Sequence, residues 1–178
     1  MTSIDELAHD YWQARLDAAP TERHLLGDYS EVGRFEDPSL AAEDRQIAGL
    51  RDFAARAAAL SEDGLDTQAR LTRALIVDAA AVLADLLETR LSELSADPVH
   101  GPQVSLRLVL PMLTIPDAAA AASMPAKLTA LGDYLRGLGE RAREGVARGW
   151  APARFAVEGN IAQVDELLAL PLDQDPHL

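Results

Sequence analysis

The chain has no cysteine, few aromatic residues and a deficit of basic charge, and each shortage removes a class of protein. Without cysteine among its 178 residues there is no disulfide framework, no thiolate zinc site and no cysteine nucleophile. Aromatic residues make up 4% of the chain, so a core must be built from Leu, Ala, Val and Ile, which suits closely packed helices better than a sandwich of bulky strands. The 16 basic residues face 29 acidic ones, for a formal charge of -13 and a pI near 4.6. Such a surface repels phosphate backbones and anionic lipid, so no nucleic acid and no membrane is expected as a partner. Long hydrophobic runs are also missing. The most apolar stretch, 74–87, is interrupted by Asp78 and Asp85 and falls short of the roughly 20 residues needed to cross a bilayer. Residues 1–10 are polar and acidic where a signal peptide is basic and then apolar, which makes the cytoplasm the expected compartment.

What is present is 48% hydrophobic residues, enough for one ordinary core in a single helical domain, 1–178. Ser3 and Glu6 have the spacing of a capping box, and Ile4, Leu7, Ala8, Tyr11 and Leu16 follow at helical intervals up to Pro20. Thr21 is placed to cap a short turn ended by Gly27, and 28–38 reads as a loop. From Ser39 to about Ser61, Ile47, Leu50, Ala54, Ala57 and Leu60 share one face, with Asp52 and Arg56 paired on another. After a break at 62–64, Asp66 caps a run predicted to stay helical from Thr67 to Leu94, about 40 Å of central helix. Val104, Leu106, Leu108 and Leu110 alternate like a strand but have no partner run, so this stretch is expected to be irregular or a short helix. A short alanine-rich helix is predicted at 117–122. Pro125 is expected to open the next helix, which continues to Gly149, and Pro152 the last, with Val157, Ile161, Val164 and Leu168 facing inward. The tail, 171–178, has no pattern. The fold class is therefore all-α: an irregular bundle of five to seven helices around one long central helix.

Few motifs survive as chemistry. Glu6 and His9 have the Glu-x-x-His spacing of di-metal bundles, but no second copy exists and Glu6 has a capping role. Residues 137–142 match a dinucleotide fingerprint by letter, yet they fall mid-helix, where the backbone amides are already bonded. His9, His24, His100 and His177 are scattered, with no metal-binding spacing, nucleophile elbow or phosphate loop. Acid pairs such as Glu43-Asp44 and Glu62-Asp63 sit at a helix start and in a turn, where solvated carboxylates are ordinary. No catalytic, cofactor-binding or metal-binding residue is assigned within the chain.

A series of short landmarks carries more. Tyr11 to Leu16, Leu25-Leu26-Gly27-Asp28, His100-Gly101-Pro102-Gln103, Arg143 to Gly149 and Ile161-Ala162-Gln163 resemble, in that order, the N-terminal third of the bacterial DUF885 family. The loop at 30–37 and the alanine run at 118–122 depart from the family pattern. The resemblance covers essentially the whole chain and implies a largely helical protein of several hundred residues. It further implies similarity to zinc-dependent peptidases of the helical carboxypeptidase and oligopeptidase type. In such proteins the zinc would be held by a histidine–glutamate helix later in the chain, which the resemblance places beyond residue 178. By the same resemblance His100, Gly101, Pro102 and Gln103 are expected to wall a substrate cleft, with peptide as substrate only in the longer form.

Two functions follow as expectations. The chain is the N-terminal, non-catalytic region of a zinc-peptidase-like protein, or it is a free-standing helical interaction module. Its partners are then the remainder of the family protein or a second copy, met through an apolar face on the long helix formed by Leu75, Ile76, Val82, Leu83, Leu86, Leu87 and Leu91. Association through such a face predicts a mass above 19.1 kDa that rises with concentration in sedimentation equilibrium. A constant monomer mass would remove the exposed-face argument.

Overall fold

A computed structural model describes residues 3–171 as seven α-helices, with no strand among them. The helices are α1 Ile4–Ala18, α2 Pro20–Leu25, α3 Leu40–Ala59, α4 Thr67–Glu88, α5 Pro102–Val109, α6 Ala118–Ala147 and α7 Arg154–Leu168. The capping box that opens α1 is formed in full, with Glu6 N–H donating to Ser3 Oγ at 3.2 Å and Ser3 N–H donating to Glu6 Oε2 at 2.8 Å. Two free amides of the first turn thereby gain partners. Ser39, Asp66 and Asp117 cap α3, α4 and α6 in the same manner, each accepting from the amide three residues on.

The core is the meeting of α1 with the antiparallel pair α3 and α4. Ile4, Leu7 and Tyr11 from α1, Leu50 and Ala57 from α3, and Ile76, Ala80 and Ala84 from α4 form one buried cluster. Three of its members are fully buried alanines, which let α3 and α4 lie close together along their length. Arg73 holds the turn between them, donating from Nε to the Leu60 carbonyl at 2.9 Å and from Nη2 to the Ala58 carbonyl at 2.8 Å. Arg51 crosses to Asp85 and Glu88 at the other end of the pair.

Several predicted boundaries move, each for a local reason. The long helix ends at Glu88, not Leu94, because Arg90 adopts the left-handed region at φ 57 and turns the chain into a 3-10 turn at Leu91–Leu94. The longest helix among the described residues is α6, about 45 Å, rather than α4, about 33 Å. Residues 118–147 are one helix with Pro125 inside it, not two. Five alanines following a capped Asp117 supply the strongest helix propensity available, and they carry the helix through the missing proline amide. Pro20, not Thr21, opens α2, and the Thr21 side chain is used elsewhere. The last helix starts at Arg154, after Pro152. Val104 to Val109 lie in α5, so the alternation there did not mark a strand.

The apolar faces are less covered than the periodicity predicts. On α7, Ile161 and Leu168 are exposed and Ala156 is the buried residue. On α4, Leu75, Val82 and Leu86 are exposed, joined by Leu71, whereas Ile76, Leu83 and Leu87 pack into the core. The tail from residue 172, with His177, lies outside the described residues. No described helix is long and apolar enough to cross a membrane.

Residues 28–38 form a strap that runs from α2 along α6. Asp28 ties its start: the carboxylate accepts from the Ser30 hydroxyl at 2.6 Å, the Ser30 amide at 3.0 Å and Arg23 Nη1 at 2.7 Å. These bonds, those from Ser30 first, hold its pKa down at about 2. A carboxylate with a depressed folded-state pKa contributes stability above its unfolded value, near 3.8, and that contribution is lost as pH falls towards 2. Asp28→Asn is expected to flatten the acid side of the stability curve across that window. Urea midpoints measured against pH check this, and an unchanged profile would contradict it.

Candidate functional site

At the corner where α1, α3, the strap and α6 meet there is a partly enclosed cavity of about 580 Å3. Its base is built on Glu43, a residue on the inward face of α3 and nearly fully buried. Glu43 accepts from Arg141 of α6, itself only 4% exposed, and from Arg90 at the left-handed turn, which also grips Asp44. Arg141 Nη1 donates to the Pro38 carbonyl at 3.1 Å, so the same guanidinium holds the strap. A carboxylate between two guanidiniums is what makes burial of these charges tolerable, since either partner alone would face a large desolvation cost.

The strap is secured at two further points. Lys127 of α6 is buried, donates from Nζ to the Arg34 carbonyl at 2.9 Å and lies over the Phe35 ring at 5.3 Å. Loss of hydration lowers its pKa from the usual lysine range. Glu36 accepts from the Thr21 amide at 2.9 Å and the Thr21 hydroxyl at 2.8 Å. Tyr134 stands across the cavity beside Phe35, and its phenol pKa is raised by burial and then by the neighbouring Glu36. Gly137 lets the strap lie flat on α6, because a Cβ there would come within 2.7 Å of Pro38 Cγ. The letters of the dinucleotide fingerprint thus belong to a helix–strap contact inside α6.

A smaller groove of about 280 Å3 adjoins the cavity and shares Phe35, Glu36, Tyr134 and Leu138 with it. Of the four residues expected to wall a cleft, His100 and Pro102 line this groove. Gly101 is buried at the start of α5, where a side chain would meet the Asp97 carbonyl. Gln103 is fully engaged: it donates to the Asp97 carbonyl and to Gln163 Oε1, both at 2.9 Å, and accepts from Asn160 at 3.0 Å. Gln163 in turn donates to the Pro98 carbonyl at 2.9 Å. The tetrapeptide therefore divides: His100 and Pro102 face the groove, Gly101 packs against the Asp97 carbonyl, and Gln103 fastens α5 to α7.

The remaining sequence candidates are dispersed. His9 is exposed on α1, with Glu6 tied to Ser3, and His24 is buried, its Nε2 donating to the Thr114 carbonyl at 2.7 Å. His100 is exposed, 3.5 Å from Asp97. Among the described residues no group of three or more His, Asp or Glu side chains could hold a metal ion.

A family model for bacterial proteins of unknown function, DUF885, matches residues 20–178. The chain belongs to the DUF885 family. Among curated proteins and among solved structures nothing matches it. Within this DUF885 chain, the buried pair Glu43 and Arg141 is the feature that sequence reading passed over. In the sequence Glu43 reads as a solvated acid at a helix start, whereas in the fold it is buried between Arg90 and Arg141. Its position was nonetheless visible, because 43, 47, 50, 54 and 57 fall on one helical face, and a charge in phase with that face must be buried.

Glu43→Gln is expected to lower stability by about 3–5 kcal/mol, because two guanidiniums are left without their shared counter-charge. The double variant Glu43→Leu with Arg141→Met, which removes both buried charges, is expected to recover most of that loss. Urea unfolding of the three proteins checks it, and equal stability of Glu43→Gln and the wild type would show that the pair carries no weight.

Proposed function

We propose that this DUF885 chain is the helical, non-catalytic N-terminal region of a zinc-dependent peptidase-like protein of the cytoplasm, forming one wall of a cleft that takes peptide. The observation that supports it is the convergence of family landmarks on one groove: His100 and Pro102 line it, while Gln103 and Gln163 brace the helices behind it. The described residues provide no metal-binding group, so in this reading zinc and the hydrolytic chemistry belong to another part of a longer protein. Exposed apolar residues on α4 and α7, among them Leu71, Leu75, Val82, Phe155 and Leu168, are suited to packing against that part. The stripe on α4 also favours a second reading, a helical module that associates through this face with a second copy.

The two readings separate by experiment. Purified residues 1–178 are expected to bind zinc no better than background by metal analysis and to hydrolyse no peptide. A longer protein carrying a histidine–glutamate helix is expected to bind zinc stoichiometrically. In it, His100→Ala is expected to raise KM for peptide with the zinc content unchanged. Tight stoichiometric zinc in residues 1–178 alone, or an unaltered KM in the His100 variant, would overturn the cleft-wall reading.

A further inference from the structure

The groove beside His100 differs in charge from the cavity that it adjoins. The larger cavity sets four arginines against four acids, whereas the groove is lined by no lysine or arginine and by one carboxylate, Glu36. A further hollow of about 440 Å3 against the strap also borders Glu36, and there Asp37, Asp133 and Glu140 face one cation, Arg136, which is paired with Asp133. Glu36 therefore stands where the field of a chain of charge -13 is focused between low-dielectric walls. Its position is fixed by neutral donors. The two carboxylate oxygens accept from the Thr21 amide and the Thr21 hydroxyl, and no lysine or arginine forms an ion pair with it among the described residues. Lys127 attracts it from α6, but that ammonium is committed to the Arg34 carbonyl and the Phe35 ring and does not line the groove. A half-buried carboxylate without a counter-charge keeps lone pairs for a further donor, and a charged donor is worth most there.

The hydroxyls around Glu36 are also free. Tyr134, Ser92 and Ser95 are half-buried, and their hydroxyls have no hydrogen-bond partner among the described residues. They differ from the enclosed Tyr11 Oη in keeping accessible surface, so they are open to the groove. The Phe35 and Tyr134 rings lie 5.0 Å apart, and Glu36 is close enough to Tyr134 to add to the burial that raises its phenol pKa. Carboxylate and phenol are thus within reach of one small ligand. Phe35, Leu106, Val109 and Leu138 complete the wall with apolar surface. We propose that the groove binds a primary ammonium group on an apolar body, its charge received by Glu36 and its N–H donors shared between that carboxylate and the Tyr134 hydroxyl. The amino end of a peptide and a free amine both carry this chemistry. The assignment goes beyond the cleft-wall reading and does not rest on it, because every group involved belongs to this chain.

The test is calorimetric titration of the whole chain with L-leucinamide, isoamylamine, N-acetyl-L-leucinamide and isocaproate at about pH 6.5, where both amines are protonated. The two amines are expected to bind, and the acetylated amide and the carboxylate not to. Tighter binding of leucinamide assigns the ammonium to a peptide end, and equal or tighter binding of isoamylamine assigns it to a free amine. Glu36→Gln keeps an acceptor for the Thr21 amide and removes the charge, so amine affinity is expected to fall about tenfold or more. Tyr134→Phe keeps the ring beside Phe35 and is expected to lower amine affinity about threefold with the helical spectrum unchanged. Asp78→Asn removes the same charge from α4, outside the groove, and is expected to leave affinity unchanged, which separates a site from the general attraction of a cation to an acidic chain. If Glu36→Gln loses its helical spectrum, Tyr134→Phe decides. Acetylated amide bound as tightly as leucinamide, no binding of either amine, unchanged affinity in a folded Glu36→Gln or in Tyr134→Phe, or an equal loss in Asp78→Asn would each overturn the proposal.

Discussion

The buried carboxylate of Glu43 is the contact through which the halves of the molecule are joined. The N-terminal half has an apolar core of its own in α1, α3 and α4, whereas α6 brings few apolar residues to that core. Beside the Phe35–Tyr134 ring contact, what attaches α6 is largely polar: Arg141 to Glu43 and the Pro38 carbonyl, Lys127 to the Arg34 carbonyl, and, just past its end, Arg148 to the buried Glu93 at 2.5 Å. Such contacts are directional, and their worth depends on complete pairing. They position α6 and the strap in one register and leave a cavity between them, where an apolar interface would have closed it.

Backbone freedom at a few positions makes this geometry reachable. Gly137 and Gly145 let Pro38 and Glu93 lie against α6, and a Cβ at Gly145 would come within 2.9 Å of the Glu93 side chain. Arg90 occupies a left-handed position that glycine usually fills, and the conformational cost is offset by its two ion pairs with Glu43 and Asp44. The turn after α4, the base of the cavity and the seat of α6 are consequently one structural unit. The C-terminal half is otherwise lightly covered, with Phe155, Ile161 and Leu168 of α7 facing outward. Membership of the DUF885 family, a family of unknown function, assigns no chemistry to the chain.

The helical content, the caps at Ser3 and Asp66 and the α3 face were legible in the sequence, because caps and periodicity act over a few residues and are written in consecutive letters. The absence of strand at 104–110 followed from the lack of a pairing run. The site was only partly legible. His100 and Pro102 do line a groove, yet Gly101 and Gln103 have structural roles that their neighbours in sequence do not reveal.

What the sequence by itself determined is therefore the all-α class, most helix starts and the family, each set by local propensity or by the order of short motifs. Only the tertiary structure decided where α4 stops and that Glu43 is a buried partner rather than a solvated acid. These outcomes depend on residues about 50 to 100 positions apart, Glu43 with Arg90 and Arg141, meeting in a low-dielectric interior. A pairing energy of that kind overrides local preference, and no short window of sequence contains both partners.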